Sequence, residues 1–253
     1  MNSHLRNLEK IEFVVTNACT GSCKHCSQGE HSGEVHRIVP ETAAQLVRSV
    51  AAEYSIKTVT TFGGEPLLHP DAVCAIHNAA REMGVERRQL ITNGYFSTDL
   101  NAIDNVARRL AACGVNDLLL SVDAFHQETI PLDIVRSFAS SAVKHGIPIR
   151  LQPAWLVSRD DDNEYNERTR AILASFSDMN LPESDGNIVF PEGNALRYLG
   201  EYFRDSLPEN PYIEDPSDLR CISIDSDGEL LGANIYHIDV LELLENYTPK
   251  EDK

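Results

Sequence analysis

The segment IEFVVTNACTGSCKHC, residues 11–26, joins an apolar, β-branched run directly to three cysteines. Residues 11–16 have the composition of a strand that is buried on both faces of a parallel sheet. Cys19, Cys23 and Cys26 therefore follow the carboxyl end of a strand, which is where α/β folds place their active sites. The small residues between the cysteines allow a tight loop, so the three thiolates can converge on one metal centre.

Three soft thiolates select zinc or an iron–sulfur cluster. A closed structural zinc site needs four ligands, and the other cysteines are scattered at positions 74, 113 and 221. Only His25 or His31 could supply a nearby fourth ligand. On a four-iron cluster, three cysteines would leave one iron open to an outside ligand. The cysteines alone leave both kinds of site possible.

Five further strand-like runs follow, with helical apolar patterns between them: residues 57–62, 88–92, 117–122, 147–152 and 187–190. Gly84, Gly114 and Gly146 follow three of the helical patterns, as left-handed helix ends prefer. Alternating units of this size indicate a parallel sheet with right-handed crossovers. The pattern fits either an open sheet or part of a (β/α) barrel.

A glycine-rich turn, TFGGEP at residues 61–66, follows the second strand. Paired glycines allow the backbone to approach a ligand closely. With the CxxxCxxC loop about 40 residues earlier, this motif resembles the radical S-adenosylmethionine (SAM) superfamily over residues 11–205. The resemblance implies a partial (β/α)6 TIM-like barrel, one [4Fe–4S] cluster on the three cysteines, and SAM on the open iron. Gly63, Gly64 and Glu65 would then contact the methionine amino group of SAM.

The resemblance implies SAM contacts at five further positions: His25, Asn93, Ser121, Asp123 and Arg150. His25 would lie near the adenine. Ser121 and Asp123 would lie near the ribose, and Arg150 would pair with the SAM carboxylate. Because Gly64 belongs to the SAM contacts, the substitution Gly64→Val is expected to impair SAM binding and to leave the cluster intact.

Two other loop positions are less typical of the family. His126 follows the fourth strand and could contact the substrate or donate a proton, although we interpret it as a solvated loop residue. The stretch FPEGNA at 190–195 resembles the loop that closes over adenine, but Asn194 stands where relatives often have arginine. The sequence does not identify a catalytic acid or base.

The resemblance implies reductive cleavage of SAM to a 5′-deoxyadenosyl radical that abstracts hydrogen from a substrate. An electron donor such as flavodoxin or ferredoxin is then required. The region from Cys221 to Gly228 resembles the extension of peptide-modifying members, which favours a peptide substrate. It lacks the later cysteines of that extension, so we expect no auxiliary cluster. The alternatives are a small-metabolite substrate, or a non-catalytic iron–sulfur or zinc protein.

The chain has 253 residues, and we divide it into an N-terminal segment (1–10), the barrel (11–205), and a linker with a C-terminal β-hairpin and tail (206–253). Its formal net charge of −17 disfavours nucleic acid and anionic membrane surfaces as partners. No apolar run has the roughly 20 residues of a membrane span, and the first residues do not resemble a signal peptide. These features predict a cytoplasmic protein.

Overall fold

The computed structural model describes residues 2–31, 33–203 and 208–249. The described chain alternates strands and helices through its first five strands. The strands are β1 (Lys10–Val14), β2 (Thr58–Phe62), β3 (Arg87–Thr92), β4 (Asp117–Ser121), β5 (Ile149–Gln152), β6 (Ala154–Trp155), β7 (Asn187–Ile188), β8 (Cys221–Ile224), β9 (Glu229–Leu230) and β10 (Ala233–Asn234). The α-helices are α1 (Pro40–Glu53), α2 (Pro70–Glu82), α3 (Leu100–Cys113), α4 (Leu132–Lys144), α5 (Glu164–Ala174), α6 (Gly193–Leu199) and α7 (Val240–Glu245).

The central sheet has six parallel strands in the order β5-β4-β3-β2-β1-β8 and does not close on itself. Consecutive strands from β1 to β5 are neighbours, each joined to the next by one of the helices α1 to α4. All four helices pack on one face of the sheet around fully buried residues such as Ile11 and Phe13. The α/β class and the partial TIM-like barrel predicted from the sequence are confirmed.

Proline and glycine mark the helix ends as the sequence indicates. Pro40 and Pro70 occupy the first turns of α1 and α2, where a missing backbone N–H costs nothing. Gly84, Gly114 and Gly146 follow helices with φ angles of 74°, 93° and 74°. This left-handed conformation lets each helix end and the chain turn back into the next strand.

The last strand predicted for the barrel, residues 187–190, pairs outside the six-stranded sheet. Pro153 interrupts the fifth strand, and the chain continues as β6, which pairs in parallel with β7. The Pro153 carbonyl still accepts a hydrogen bond from Asn187 N at 2.9 Å, so β7 follows the interrupted strand closely. The predicted position of this strand was right, but its place in the main sheet was wrong.

The sixth strand of the main sheet comes instead from the predicted C-terminal hairpin. β8 pairs in parallel with β1, with Cys221 opposite Lys10 and Ile224 opposite Phe13. The hairpin itself consists of β9 and β10 and turns at Leu231 and Gly232, within the range 206–253 predicted to contain it. Burial explains the difference, because Ile222 and Ile224 extend the apolar core beneath β1.

Some predictions fall on residues 204–207 and 250–253, which lie outside the described residues. Before the first of these gaps, α6 is followed by a 3₁₀ turn over Gly200–Phe203. The boundary predicted between residues 205 and 206, and the end of the predicted tail, therefore stay predictions. No helix in the described ranges is long and apolar enough to cross a membrane.

A buried histidine lies behind β2, on the helix side of the sheet. His77 of α2 is fully buried, and its Nε2 lies 2.8 Å from Thr61 Oγ1. Its Nδ1 has no hydrogen-bond partner among the described residues. Burial, together with the charge of Arg88, lowers the pKa of His77 from 6.5 to about 3.

We predict that His77 makes the fold weaker in mild acid. Because its folded-state pKa is depressed, the unfolded chain binds the proton first, and stability is lost as the pH falls from about 6.5 toward 3. The slope is at most about 1.4 kcal/mol per pH unit for one group. Urea unfolding of the cluster-free protein at several pH values between 7 and 5 measures this slope.

His77→Gln keeps a partner for Thr61 but cannot titrate, so the variant should lose less stability over this range than the wild type. His237→Gln, at an exposed position, is the control and should follow the wild type. Parallel pH profiles for the wild type and His77→Gln would contradict the prediction.

Candidate active site at the cysteine loop

A cavity of about 240 Å³ opens at the carboxyl ends of the central strands. The cysteine loop forms one part of its wall, and the glycine turn after β2 forms another. The ends of β3, β4 and β5 and the segment around β7 complete it. Residues from opposite ends of the sequence therefore meet in one cavity, at the edge of the sheet where the cysteine motif predicts the site.

The cysteine loop rests on the glycine turn through backbone hydrogen bonds. Gly64 N donates to Thr16 O, and Glu65 N donates to Ala18 O, both at 2.8 Å. A Cβ atom at Gly64 would overlap the carbonyl group of Ala18, next to Cys19. At Gly63, where φ is 140°, a Cβ would lie 2.6 Å from Thr16 O. The two glycines are thus needed for contact between the loops, in addition to any contact with a ligand.

Cys19, Cys23 and Cys26 all line this cavity. Burial raises the pKa of Cys19 to about 11, and it also raises the pKa of Cys23 and of Cys26. Each of these thiols is costly to ionise on its own. A cationic centre suits them because it replaces their protons and stabilises the thiolates. The donor set therefore fits a metal centre bound by three cysteines.

His25 contributes a second sign of a missing ligand. Its Nδ1 atom is buried and has no hydrogen-bond partner among the described residues, while its ring packs 4.9 Å from the Phe125 ring. Burial lowers the pKa of His25 to about 4, so the ring is neutral. Buried polar atoms are normally paired, so this one indicates that a bound group belongs in the cavity.

His126 lies in the wall and is not the solvated loop residue of our interpretation. Its Nδ1 lies 2.8 Å from Asp123 Oδ2, and its side chain is only 16% exposed. Burial alone would raise the pKa of Asp123, but His126 outweighs it and lowers the pKa to about 2. The ionised carboxylate therefore fixes the His126 ring. Ligand atoms of His126, His25 and Cys23 lie within 4.8 Å of one another, an alternative donor set that shares Cys23.

His31 lies against the third cysteine. Its Nδ1 lies 2.7 Å from Asn17 O, which fixes the proton on Nδ1, and its Nε2 lies 3.6 Å from Cys26 Sγ. A metal-site histidine usually donates its second ring N–H to a backbone carbonyl in this way. The His31 ring thus bridges Asn17, before the first cysteine, and Cys26, the last cysteine of the loop.

Asn194 ties the loop before α6 to the cysteine loop. It is buried, its Nδ2 donates to Cys23 O at 3.1 Å, and its backbone N donates to Cys26 O at 2.9 Å. Beside it, a Cβ at Gly193 would lie 2.7 Å from Cys26 O. One asparagine therefore orients the backbone of two of the three cysteines.

The cavity brings together six of the eight predicted SAM-binding residues: His25, Gly63, Gly64, Asn93, Ser121 and Asp123. Glu65 is not in its wall. The Glu65 carboxylate is fully buried and accepts hydrogen bonds from Leu67 N, Thr92 Oγ1 and Asn93 N at 2.7–2.9 Å. Burial raises the pKa of Glu65 to about 7, against these hydrogen bonds. Glu65 thus connects the glycine turn to the end of β3 outside the cavity wall.

Arg150 is also outside the cavity wall. Its guanidinium pairs with Asp117, with Nη2 2.7 Å from Oδ1, nearer the amino end of the sheet. The residue at the cavity is Gln152, two positions further along the same face of β5. The prediction chose the right strand and face but the wrong register.

Sequence reasoning missed Gln152 and the roles of His31 and Asn194. Gln152 could have been found from the alternation of β5, since it is the last inward residue of that strand. Asn194 was visible only as a departure from the family pattern. His31 was considered only as a possible zinc ligand, and its contact with Asn17 has no sequence signal.

Comparisons with known proteins agree with this geometry. The family model of the radical SAM superfamily matches residues 13–146, more than half of the chain. The probable GTP 3′,8-cyclase of Methanocaldococcus jannaschii is 25% identical over 123 residues, 49% of this chain and 39% of that protein. The probable GTP 3′,8-cyclase of Saccharolobus islandicus strain L.S.2.15 is 26% identical over 212 residues, 78% of this chain and 65% of that protein. The chain therefore spans less than two thirds of the length of these relatives.

Solved structures share the fold at low identity. Native anSMEcpe with bound AdoMet superimposes with a TM-score of 0.58 and 13% identity, covering 91% of this chain and 75% of that one. HydG, a maturase of the [FeFe]-hydrogenase, gives a TM-score of 0.52 and 14% identity, covering 83% of this chain and 47% of that one.

The contact between the loops changes the expectation for Gly64. Gly64→Ala places a methyl group against Ala18, so we predict a loss of at least about 2 kcal/mol of stability and a lower iron content after anaerobic reconstitution. This corrects the expectation that substitution of Gly64 would leave the cluster intact. Gly200→Ala, where a Cβ meets nothing within 4 Å, is the matched control. Full iron content in Gly64→Ala would refute the role of this contact.

We also predict that Asn194 supports the cysteine loop. Asn194→Ala removes a buried donor and leaves Cys23 O with only the 3.3 Å hydrogen bond from Cys26 N, which should cost about 1 kcal/mol of stability. The electron paramagnetic resonance (EPR) spectrum of the reduced, reconstituted protein should also change, because the loop can shift. Asn101→Ala, at an exposed position on α3, is the control. Identical stability and spectra for the two variants would contradict the prediction.

Proposed function

Because the chain belongs to the radical SAM superfamily, we propose that Cys19, Cys23 and Cys26 hold its [4Fe–4S] cluster and that SAM binds beside it. When bound, this group supplies one-electron cleavage of SAM to a 5′-deoxyadenosyl radical, which takes a hydrogen atom from the substrate. The chain is an enzyme of this superfamily, whose members use both cofactors. The observation that carries the proposal is that the three cysteines and the glycine turn line one cavity.

The protein's own residues would bind and enclose the cofactors. Thiolates from the three cysteines would hold the cluster, and no fourth protein ligand would be needed from the cysteine loop. The glycine turn offers backbone groups to SAM at short range, since Gly63 and Gly64 have no side chains. The ring of His25, which lines the cavity and packs against Phe125 behind it, offers the adenine an aromatic face with one free nitrogen. Asn93, Ser121 and Asp123 lie further along the same wall, and we propose that Asn93 and Ser121 contact SAM.

His126 is the side chain best placed to hold or move a proton in this cavity. Asp123 fixes its Nδ1 side, which leaves Nε2 for a ligand or substrate. Hydrogen abstraction by an adenosyl radical needs no protein base, so we assign His126 a role in positioning or in a later proton transfer. The reduction of such a cluster is demanding, and we propose a flavodoxin or ferredoxin as the electron donor.

For the substrate we propose a peptide, with a small metabolite as the second candidate. The likeness to proteins named GTP 3′,8-cyclase favours the small metabolite, but the chain spans less than two thirds of their length. The composition of the cavity wall favours the peptide, because no lysine or arginine is among the described residues that line it. The match to the radical SAM superfamily disfavours a non-catalytic iron–sulfur or zinc protein.

Anaerobic reconstitution tests the proposed function. We expect about four iron and four sulfide per chain, and formation of 5′-deoxyadenosine when SAM and dithionite are added. Cys23→Ser should abolish both the cluster and the cleavage of SAM. Cys113→Ser, which removes a thiol buried in the core away from the cavity, is the control and should retain both. One bound zinc per chain, with no cleavage of SAM, would refute the proposal.

A further inference from the structure

The outer part of the cavity, beyond the cysteines, has a neutral wall. Among the described residues that line the cavity there is no lysine or arginine, and the single carboxylate, Asp123, is engaged by His126. Arg87 of β3 and Arg150 of β5 pair with Asp117, and Arg88 of β3 donates to the backbone carbonyls of Gly114 and Val85. A triphosphate needs cationic partners when it leaves water, so this wall does not suit a nucleoside triphosphate.

Two side-chain amides in the outer wall are oriented as donors. Ser184 Oγ accepts a hydrogen bond from Gly186 N at 3.2 Å and donates to Gln152 Oε1. Tyr212 Oη donates to Asn187 Oδ1 at 3.0 Å. The side-chain oxygens of Gln152 and Asn187 both accept these hydrogen bonds. The side-chain N–H groups of the two amides therefore remain available to a ligand. Such donors recognise carbonyl oxygens.

The strand beside these amides has a free edge. Asn187 N and Val189 N bond to the β6 side, so the backbone N–H and C=O of Ile188 point away from β6. Neither group has a hydrogen-bond partner among the described residues, and the Ile188 side chain is 38% exposed. An extended chain could pair with this edge by adding a strand.

From these three observations we infer that the outer cavity and the free edge of β7 together bind an extended peptide substrate. The peptide backbone would pair with Ile188, and its carbonyl groups would accept hydrogen bonds from Gln152 and Asn187. This inference rests on the proposed function, since it names the substrate whose hydrogen atom is abstracted. A peptide fits better than a small metabolite because one edge and two separate amides offer hydrogen bonds along an extended chain.

The test uses the reconstituted enzyme with SAM and dithionite and measures 5′-deoxyadenosine formation above the substrate-free rate. The probes are GTP, a randomised library of N-acetylated, C-amidated octapeptides, and the same library with alternate residues N-methylated. We expect the first library to raise the rate several-fold. GTP should leave it unchanged, and the N-methylated library should lose most of the stimulation, because it lacks the N–H groups that pair with a strand edge.

Gln152→Glu replaces the donor with an acceptor of the same size. It should reduce the stimulation by the library at least about tenfold, as expected when a buried donor–acceptor pair becomes two acceptors. Gln45→Glu adds the same charge at an exposed position on α1 and should keep the stimulation of the wild type.

Stimulation by GTP, no stimulation by the first library, equal stimulation by both libraries, or an unaffected Gln152→Glu would each overturn the inference. Absence of 5′-deoxyadenosine in every reaction, including the substrate-free one, would instead refute the proposed function.

Discussion

The site depends on the continuation of the β1–β2 pairing beyond the ends of the two strands. Thr16 and Ala18 accept backbone hydrogen bonds from Gly64 and Glu65, so the chain that leads into the cysteines is held by the turn that leads out of β2. Backbones can approach this closely only where no Cβ intervenes. The paired glycines therefore fix the cysteine loop, and the position of the proposed cluster relative to the sheet would follow from that contact.

Around this contact, buried polar side chains connect several of the strand ends. Glu65 links the glycine turn to the end of β3, and Asp123 accepts hydrogen bonds from His126 and from Ala154 N of β6. Asn194 completes the connections by holding the backbone of the cysteine loop. Each of these side chains is buried, so each carries the cost of desolvation and is stabilised only while its partners stay in place. These buried hydrogen bonds hold the strand ends against one another around the cavity.

The sequence predicted the features that depend on local residue patterns. It did not predict the side-chain directions that depend on partners far away in the chain. The positions of β1 to β5 and the glycine helix ends followed from apolar runs and spacing, and the cysteines were found from their motif. The side-chain directions of Glu65 and Arg150 could not be predicted, because their hydrogen-bond partners are distant in sequence. Thr92 is 27 residues from Glu65, and Asp117 is 33 residues from Arg150. Both residues lie next to the wall, and tertiary partners turn their charged groups away from it.

The break at Pro153 connects the fold to the chemistry of the outer cavity. If the fifth strand were continuous, it would extend the six-stranded sheet. The strand after it would then pair with that sheet, and its backbone groups would take part in the same barrel wall. Proline has no N–H to donate, so the ladder is interrupted and β6 and β7 form a separate pair. β7 is then the last strand on this side of the fold, and its outer edge lies beside Gln152 and Asn187. A substrate that brings its own backbone N–H and C=O groups satisfies that edge, whereas a compact charged ligand leaves it unpaired.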